Sequence, residues 1–162
     1  MQIFIANIDS ISKTPDVYAA LLSLKHQARV RKFQNQTRKL QFILGHLMVD
    51  NCGKKHSSIA HKDKWVVVAA ASNTLVGIDI ENTTIERDFV NAAELMNLPI
   101  PKSLGEFYKM FTQAEASYKL GTTPKFTRFT RHGDYLICIC ATRSFKLPRM
   151  HKFNAKSLLI AE

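Results

Sequence analysis

Two seven-residue runs, Trp65 to Ala71 and Tyr135 to Ala141, contain no charged side chain, and each is bounded on one side by turn-forming residues. Ser72-Asn73-Thr74 follows the first and Arg131-His132-Gly133-Asp134 precedes the second, so the runs read as core strands, over Trp65 to Ala69 and Tyr135 to Thr142. Leu75 to Glu81 is expected to form a hairpin with the first and Phe126 to Thr130 with the second, while the alternating Gln2 to Ala6 gives an opening strand. Neither apolar run approaches the length of a bilayer span. The start of the chain lacks the basic and long apolar regions of a signal peptide, and a soluble, cytoplasmic protein is expected.

Between these strands the apolar spacing switches to helical. Thr14-Pro15 offers an N-cap and an N1 proline for a helix over Asp16 to Arg31. A second helix is expected from Asn35 to about Asn51, with Leu40, Ile43, Leu44, Leu47 and Met48 as its buried stripe and Gly53 as its stop. Lys54 to Ser58 reads as a polar loop. Residues 86 to 97 suggest a short helix ended by Pro99 and Pro101, and Ser103-x-x-Glu106 is a capping box opening a helix that runs to Gly121. The chain closes in a basic tail ending in Leu158-Leu159-Ile160.

With 162 residues, 46% of them hydrophobic, the chain has enough apolar surface to build a core without metal or disulfide staples. The element order predicts an α+β protein, one domain of two similar lobes over about 1–82 and 83–162. Of the three cysteines, Cys52, Cys138 and Cys140, the last two stand too close for an unstrained bridge, and free thiols in a reducing compartment are expected. Lys and Arg total 23 against 13 Asp and Glu, a net charge of +10 that calls for an anionic partner without naming it.

The acidic residues are more informative than the basic ones. Alternation along Leu75 to Glu81 turns Val76, Ile78 and Ile80 into the core and sets Gly77, Asp79 and Glu81 on the opposite face. Neighbouring carboxylates raise each other's pKa unless a cation intervenes, and Mg2+ is the hard ion such a pair suits. Gly77 would let a ligand come close to the backbone. On the helix after the capping box, Leu104, Phe107, Phe111, Ala114 and Tyr118 mark the expected buried stripe, and Glu115 falls inside it with Lys119 one turn on. A carboxylate there needs a cation or a catalytic reason.

The string Val76-Gly77-Ile78-Asp79-Ile80-Glu81, followed some thirty residues on by Phe107-Tyr108-x-x-Phe111-Thr112-x-x-Glu115-Ala116-x-x-Lys119, resembles the two signature motifs of the 4'-phosphopantetheinyl transferase superfamily. Arg29-x-Arg31-Lys32-Phe33 with Gly45, then Gly53-Lys54, Ile59-Ala60-His61 and Trp65-Val66-Val67, is similar in the same order to the N-terminal half of its surfactin-type branch. The resemblance spans Arg29 to about Ala141. It implies a pseudo-twofold α+β fold, usually monomeric, with coenzyme A and Mg2+, or Mn2+, in the cleft between the lobes. Asp79, Glu81 and Glu115 would hold the metal against the pyrophosphate of coenzyme A. Glu115 would also deprotonate the serine of an apo acyl or peptidyl carrier protein, and Lys119 would neutralise the departing 3',5'-ADP. Arg29, Lys54 and His61, with His26 as a weaker candidate, would grip the nucleotide. The positive surplus suits an acidic carrier protein, with neither nucleic acid nor membrane as partner.

This sequence departs from the family pattern at Phe111, where a tryptophan is usual, at Ala114, where a lysine is usual, and at Ala60, where a serine is usual. It is also short between residues 53 and 58 and between 86 and 103. Two alternatives remain open at this point: a catalytically weak paralogue that binds coenzyme A or a carrier protein, and a metal-dependent nucleic-acid-binding protein.

Overall fold

A computed structural model describes residues 1–159. Ile160, the last of the three apolar residues ending the expected basic tail, lies outside them. The first sheet orders its strands β2-β3-β1-β7, where β1 is Gln2–Asn7, β2 His56–Lys62, β3 Trp65–Ala71 and β7 Met150–Lys152. Among the described residues only the β1–β7 pair of this sheet is parallel. The second sheet is antiparallel throughout, in the order β4-β6-β5, with β4 at Val76–Asn82, β5 at Phe126–His132 and β6 at Tyr135–Ala141. Among the described residues five α-helices complete the α+β fold: α1 (Pro15–Ala20), α2 (Leu24–Val30), α3 (Gln36–Cys52), α4 (Phe89–Leu95) and α5 (Leu104–Leu120).

The expected hairpin between Trp65 to Ala69 and Leu75 to Glu81 does not form. After β3 the chain leaves the first sheet, and β4 pairs with β6 in register from Val76 opposite Ala141 to Asn82 opposite Tyr135. The cause lies in the apolar content of these strands, which are buried on both faces and so need a layer on each side. Ile3, Ile5, Val67 and Ala69 of the first sheet pack against Ile78, Ile80, Ile137 and Ile139 of the second. The outer face of the first sheet, with Ala6, Val66, Val68 and Ala70, meets Leu40, Ile43, Leu44 and Leu47 of α3. The outer face of the second meets α5 through Leu136 beside Phe107 and Tyr108, and through Cys138 and Cys140 beside Ala116 and Leu120. The order of layers is therefore α3, sheet, sheet, α5, and both cysteines are core residues with free thiols.

The same topology occurs twice. A strand (β1, β4) precedes a helix of 17 residues (α3, α5) that ends at a left-handed glycine, Gly53 or Gly121. A hairpin of two seven-residue strands follows (β2–β3, β5–β6), and its second strand lies antiparallel to the unit's first. The units meet where β2 borders β4, and there Ser58 Oγ accepts from the Ile78 amide at 3.2 Å. The expected polar loop gives way to β2 at His56 because His56, Ser57 and Ser58 pair with Ala71, Ala70 and Ala69 of β3, and Ser58 then meets the backbone donor on the buried edge of β4.

The single helix expected over Asp16 to Arg31 is broken. Ser23 is extended, and Gln27 Nε2 donates to the carbonyls of Ala20 and Leu22 that the break releases, at 3.1 and 2.8 Å. Thr14 makes no side-chain cap bond, whereas Asn35 caps α3 by accepting from the Arg38 amide at 3.0 Å. Ser103 caps α5 by accepting from the Glu106 amide, and Glu106 accepts in return at 2.7 Å from the Lys102 amide, one residue before the N-cap amide that a regular capping box uses. No helix among the described residues is long and apolar enough to cross a membrane.

Candidate active site

Asp79 and Glu81 lie on the face of β4 that meets α5, and both are buried, 6% and 9% exposed. What comes close to Gly77 is the helix itself, not a ligand: a Cβ there would sit 2.0 Å from the Ala116 carbonyl oxygen. The expected stripe on α5 is likewise rotated. Phe107, Tyr108, Thr112, Ala116 and Leu120 are the buried residues, while Tyr118 is 85% exposed. The close approach at Gly77 draws this side of α5 inward and leaves Glu115 half-buried at the margin.

Lys119 does not pair along the helix with Glu115. Its Nζ crosses to Asp79 Oδ1 at 2.7 Å. Burial nevertheless raises the Asp79 carboxyl to about 6, with Lys119 pulling it down and the charges of Glu81 and Glu115 adding to the rise. Glu81 has a partner that the sequence did not suggest: Lys62 Nζ on β2 stands 2.8 Å from Glu81 Oε2. The distance is that of an ion pair but the angle is poor, so this oxygen, like Asp79 Oδ2, has no directed hydrogen-bond donor. Among the described residues no three acidic, histidine or cysteine side chains form a ready-made metal centre. Hard, buried oxygens lacking donors are still the donor chemistry that Mg2+ takes, and in that respect Asp79 and Glu81, with Glu115 beside them, fit it.

The basic candidates divide. Arg29 and His61 line one cavity of about 250 Å3, together with Phe33, Arg38, Gln41, Phe42, His46 and Ile59. His26 stands behind that wall, its ring 3.9 Å from His46, and Lys54 is exposed in the loop beyond Gly53, outside the lining. Arg38, Phe42 and His46 are absent from the expectations, although Arg38, Gln41, Phe42 and His46 follow the i, i+3, i+4, i+8 spacing of one face of α3. That face is visible once polar residues are allowed in the stripe. Arg38 Nη1 lies 2.7 Å from His61 Nε2 and 3.0 Å from Nδ1. Arg29 lies over the Phe42 ring at 5.1 Å from its centroid. Two guanidinium groups beside an aromatic shelf can bind phosphate and stack a base.

Burial, then Arg38 and Lys119, hold His61 near 4; burial, then His26, do the same to His46, with Arg29 adding and Asp50 opposing. Both rings are thus neutral at neutral pH. The folded values lie below the unfolded 6.5, so this contribution to stability is present above 6.5 and lost as pH falls towards 4. Between pH 7 and pH 5 each histidine should cost about 1 kcal/mol, roughly half the full linkage value because both rings keep some solvent contact, read by urea unfolding as the difference in pH dependence between wild type and a variant lacking both rings. The double variant His46→Gln/His61→Gln should flatten the pH dependence, and an unchanged slope would mean that the rings titrate normally.

The Lys119 charge reaches both His61 and Asp79. The basic cavity of one unit and the acidic centre of the other therefore adjoin where β2 borders β4. The chain matches no family model, and a search of curated proteins finds no match.

Proposed function

We propose that the protein is a Mg2+-dependent 4'-phosphopantetheinyl transferase, acting on coenzyme A and a serine of an acyl or peptidyl carrier protein. The observation that carries this reading is Lys119, bonded to Asp79 at 2.7 Å while its charge also reaches His61 on the rim of the basic, aromatic cavity. One ligand with a nucleotide at one end and a pyrophosphate at the other would use both halves. The twice-repeated topology, with its two units meeting at this point, supports the pseudo-twofold, two-lobed fold that the sequence resemblance implies.

In this reading Arg29 and Arg38 bind the nucleotide phosphates and Phe42 takes the base. Asp79, Glu81 and Glu115 would hold Mg2+, which supplies charge neutralisation at the pyrophosphate when bound. Glu115, half-buried at the edge of the centre, accepts the proton of the carrier serine. The serine oxygen bonds to the β-phosphorus, the pyrophosphate P–O bond breaks, and 3',5'-ADP departs with its new charge beside Lys119. Orientation and electrostatic stabilisation then account for most of the acceleration.

The test is to incubate the protein with coenzyme A, Mg2+ and a panel of apo carrier proteins and to weigh the carriers by mass spectrometry. At least one should gain one phosphopantetheine group. No gain on any carrier would overturn the reading.

A further inference from the structure

The acidic centre holds a cation of its own that the transfer reading does not require. Lys62 Nζ is 2.8 Å from Glu81 Oε2, and both side chains are largely shielded from water, 24% and 11% exposed. At such burial an ammonium is poorly screened and its charge is felt by anything that binds Glu81. The next lysine along the chain gives the contrast: Lys64 turns outward to Asp9, with both side chains more than half exposed.

The backbone holds Lys62 where it is. Its neighbour Asp63 heads the β2–β3 turn in a left-handed conformation (φ 50°) and is tied down by three elements. Gln41 of α3 donates to its carbonyl at 2.8 Å, and Asn82 of β4 and Tyr135 of β6 donate to its carboxylate at 3.1 and 2.9 Å. The base of the Lys62 side chain is therefore fixed over Glu81, and only its aliphatic stem is free to move.

We propose that Lys62 is an internal competitor of the divalent cation, its ammonium standing on Glu81 in the metal-free protein and withdrawing when the ion binds. This rests on the reading of Asp79, Glu81 and Glu115 as metal ligands. Three carboxylates against Lys62 and Lys119 leave a net charge of −1; without Lys62 the centre carries −2 and attracts a divalent ion more strongly. The metal requirement of the protein is then set by a residue that contributes no ligand, and it is weaker binding, not a missing donor, that Lys62 imposes.

The experiment is Mn2+ binding, read by the electron paramagnetic resonance signal of the free ion, on the full chain of wild type, Lys62→Gln, Lys62→Met and Lys64→Gln. Both Lys62 variants should bind Mn2+ about tenfold more tightly or better. Lys64→Gln, with the same change in net charge, should match wild type. Unchanged or weaker binding in a folded Lys62 variant, an equal gain in Lys64→Gln, or no Mn2+ bound by any protein would each overturn the proposal. Should the variants not fold, wild type decides: the Lys62 side-chain resonances must shift as Mg2+ is added, and their constancy through a full titration overturns it. Tighter Mn2+ binding with no carrier modified in the mass assay would keep this inference and remove the transfer reading.

Discussion

Gly77→Ala is expected to destabilise the protein by about 3 kcal/mol or more, the upper range for overpacking a core. The added Cβ would stand 2.0 Å from the Ala116 carbonyl oxygen, 2.7 Å from the Leu120 amide nitrogen and 3.0 Å from Leu120 Cβ. Two of these three atoms are helix backbone, so no side-chain rotation relieves the clash and α5 as a whole must withdraw from β4. Withdrawal would open the packing of Ala116 and Leu120 on Cys138 and Cys140 and would pull Lys119 from Asp79. Gly105→Ala is the control, because its Cβ meets only Ser103 Oγ at 4.0 Å and alanine is the better helix former. Urea denaturation should place Gly105→Ala at or above wild type and Gly77→Ala far below. Equal midpoints for Gly77→Ala and wild type would contradict the close β4–α5 approach.

Gly77 also shows what the sequence disclosed and what it withheld. The strand alternation put Asp79 and Glu81 on one face of β4, and they are there; but a lone glycine in a strand does not say whether a ligand or a helix needs the space. The helix answers, and the same contact rotates α5 so that Thr112 and Ala116 face inward in place of Ala114 and Tyr118. On α5 the apolar pattern alone fits two neighbouring stripes, and only the tertiary contact selects one. The existence and ends of α3 and α5 were legible because their caps are local chemistry: Asn35 with Gly53, and Ser103 with Gly121. Pairing of β4 with β6 was not, since β4 is equally suited to any strand and nothing local excludes the nearer β3. Lys62 and Arg38 were hidden for a similar reason. A lysine on a strand end and an arginine in a helical first turn look solvated until Glu81 and His61, from other elements, are brought beside them.

Asp79→Asn should lower carrier modification by about a thousandfold, the scale of losing a charged group that acts at the reacting phosphate, while leaving the protein at least as stable as before. The two effects have opposite causes. In function, the carboxylate is the negative charge on which Lys119 is poised and, in the transfer reading, a metal ligand; an amide does neither equally well. In stability, burial has raised the folded pKa to about 6 from 3.8, so the folded state prefers the neutral form. The stability this carboxyl contributes is fully present below 3.8 and is lost as pH rises through about 6. At pH 8 without added metal, the neutral isostere removes that penalty, and Lys119, with 30% of its side chain exposed, can turn to water. Urea unfolding at pH 8 should therefore find Asp79→Asn equal to wild type or up to about 1 kcal/mol more stable, and at pH 4 the two should converge. Glu115→Gln should share the loss of transfer, because an amide cannot take the serine proton. Wild-type transfer rates in either variant would remove that residue from the mechanism, and a clear loss of stability at pH 8 in Asp79→Asn would mean that its ion pair with Lys119 outweighs the cost of burying it.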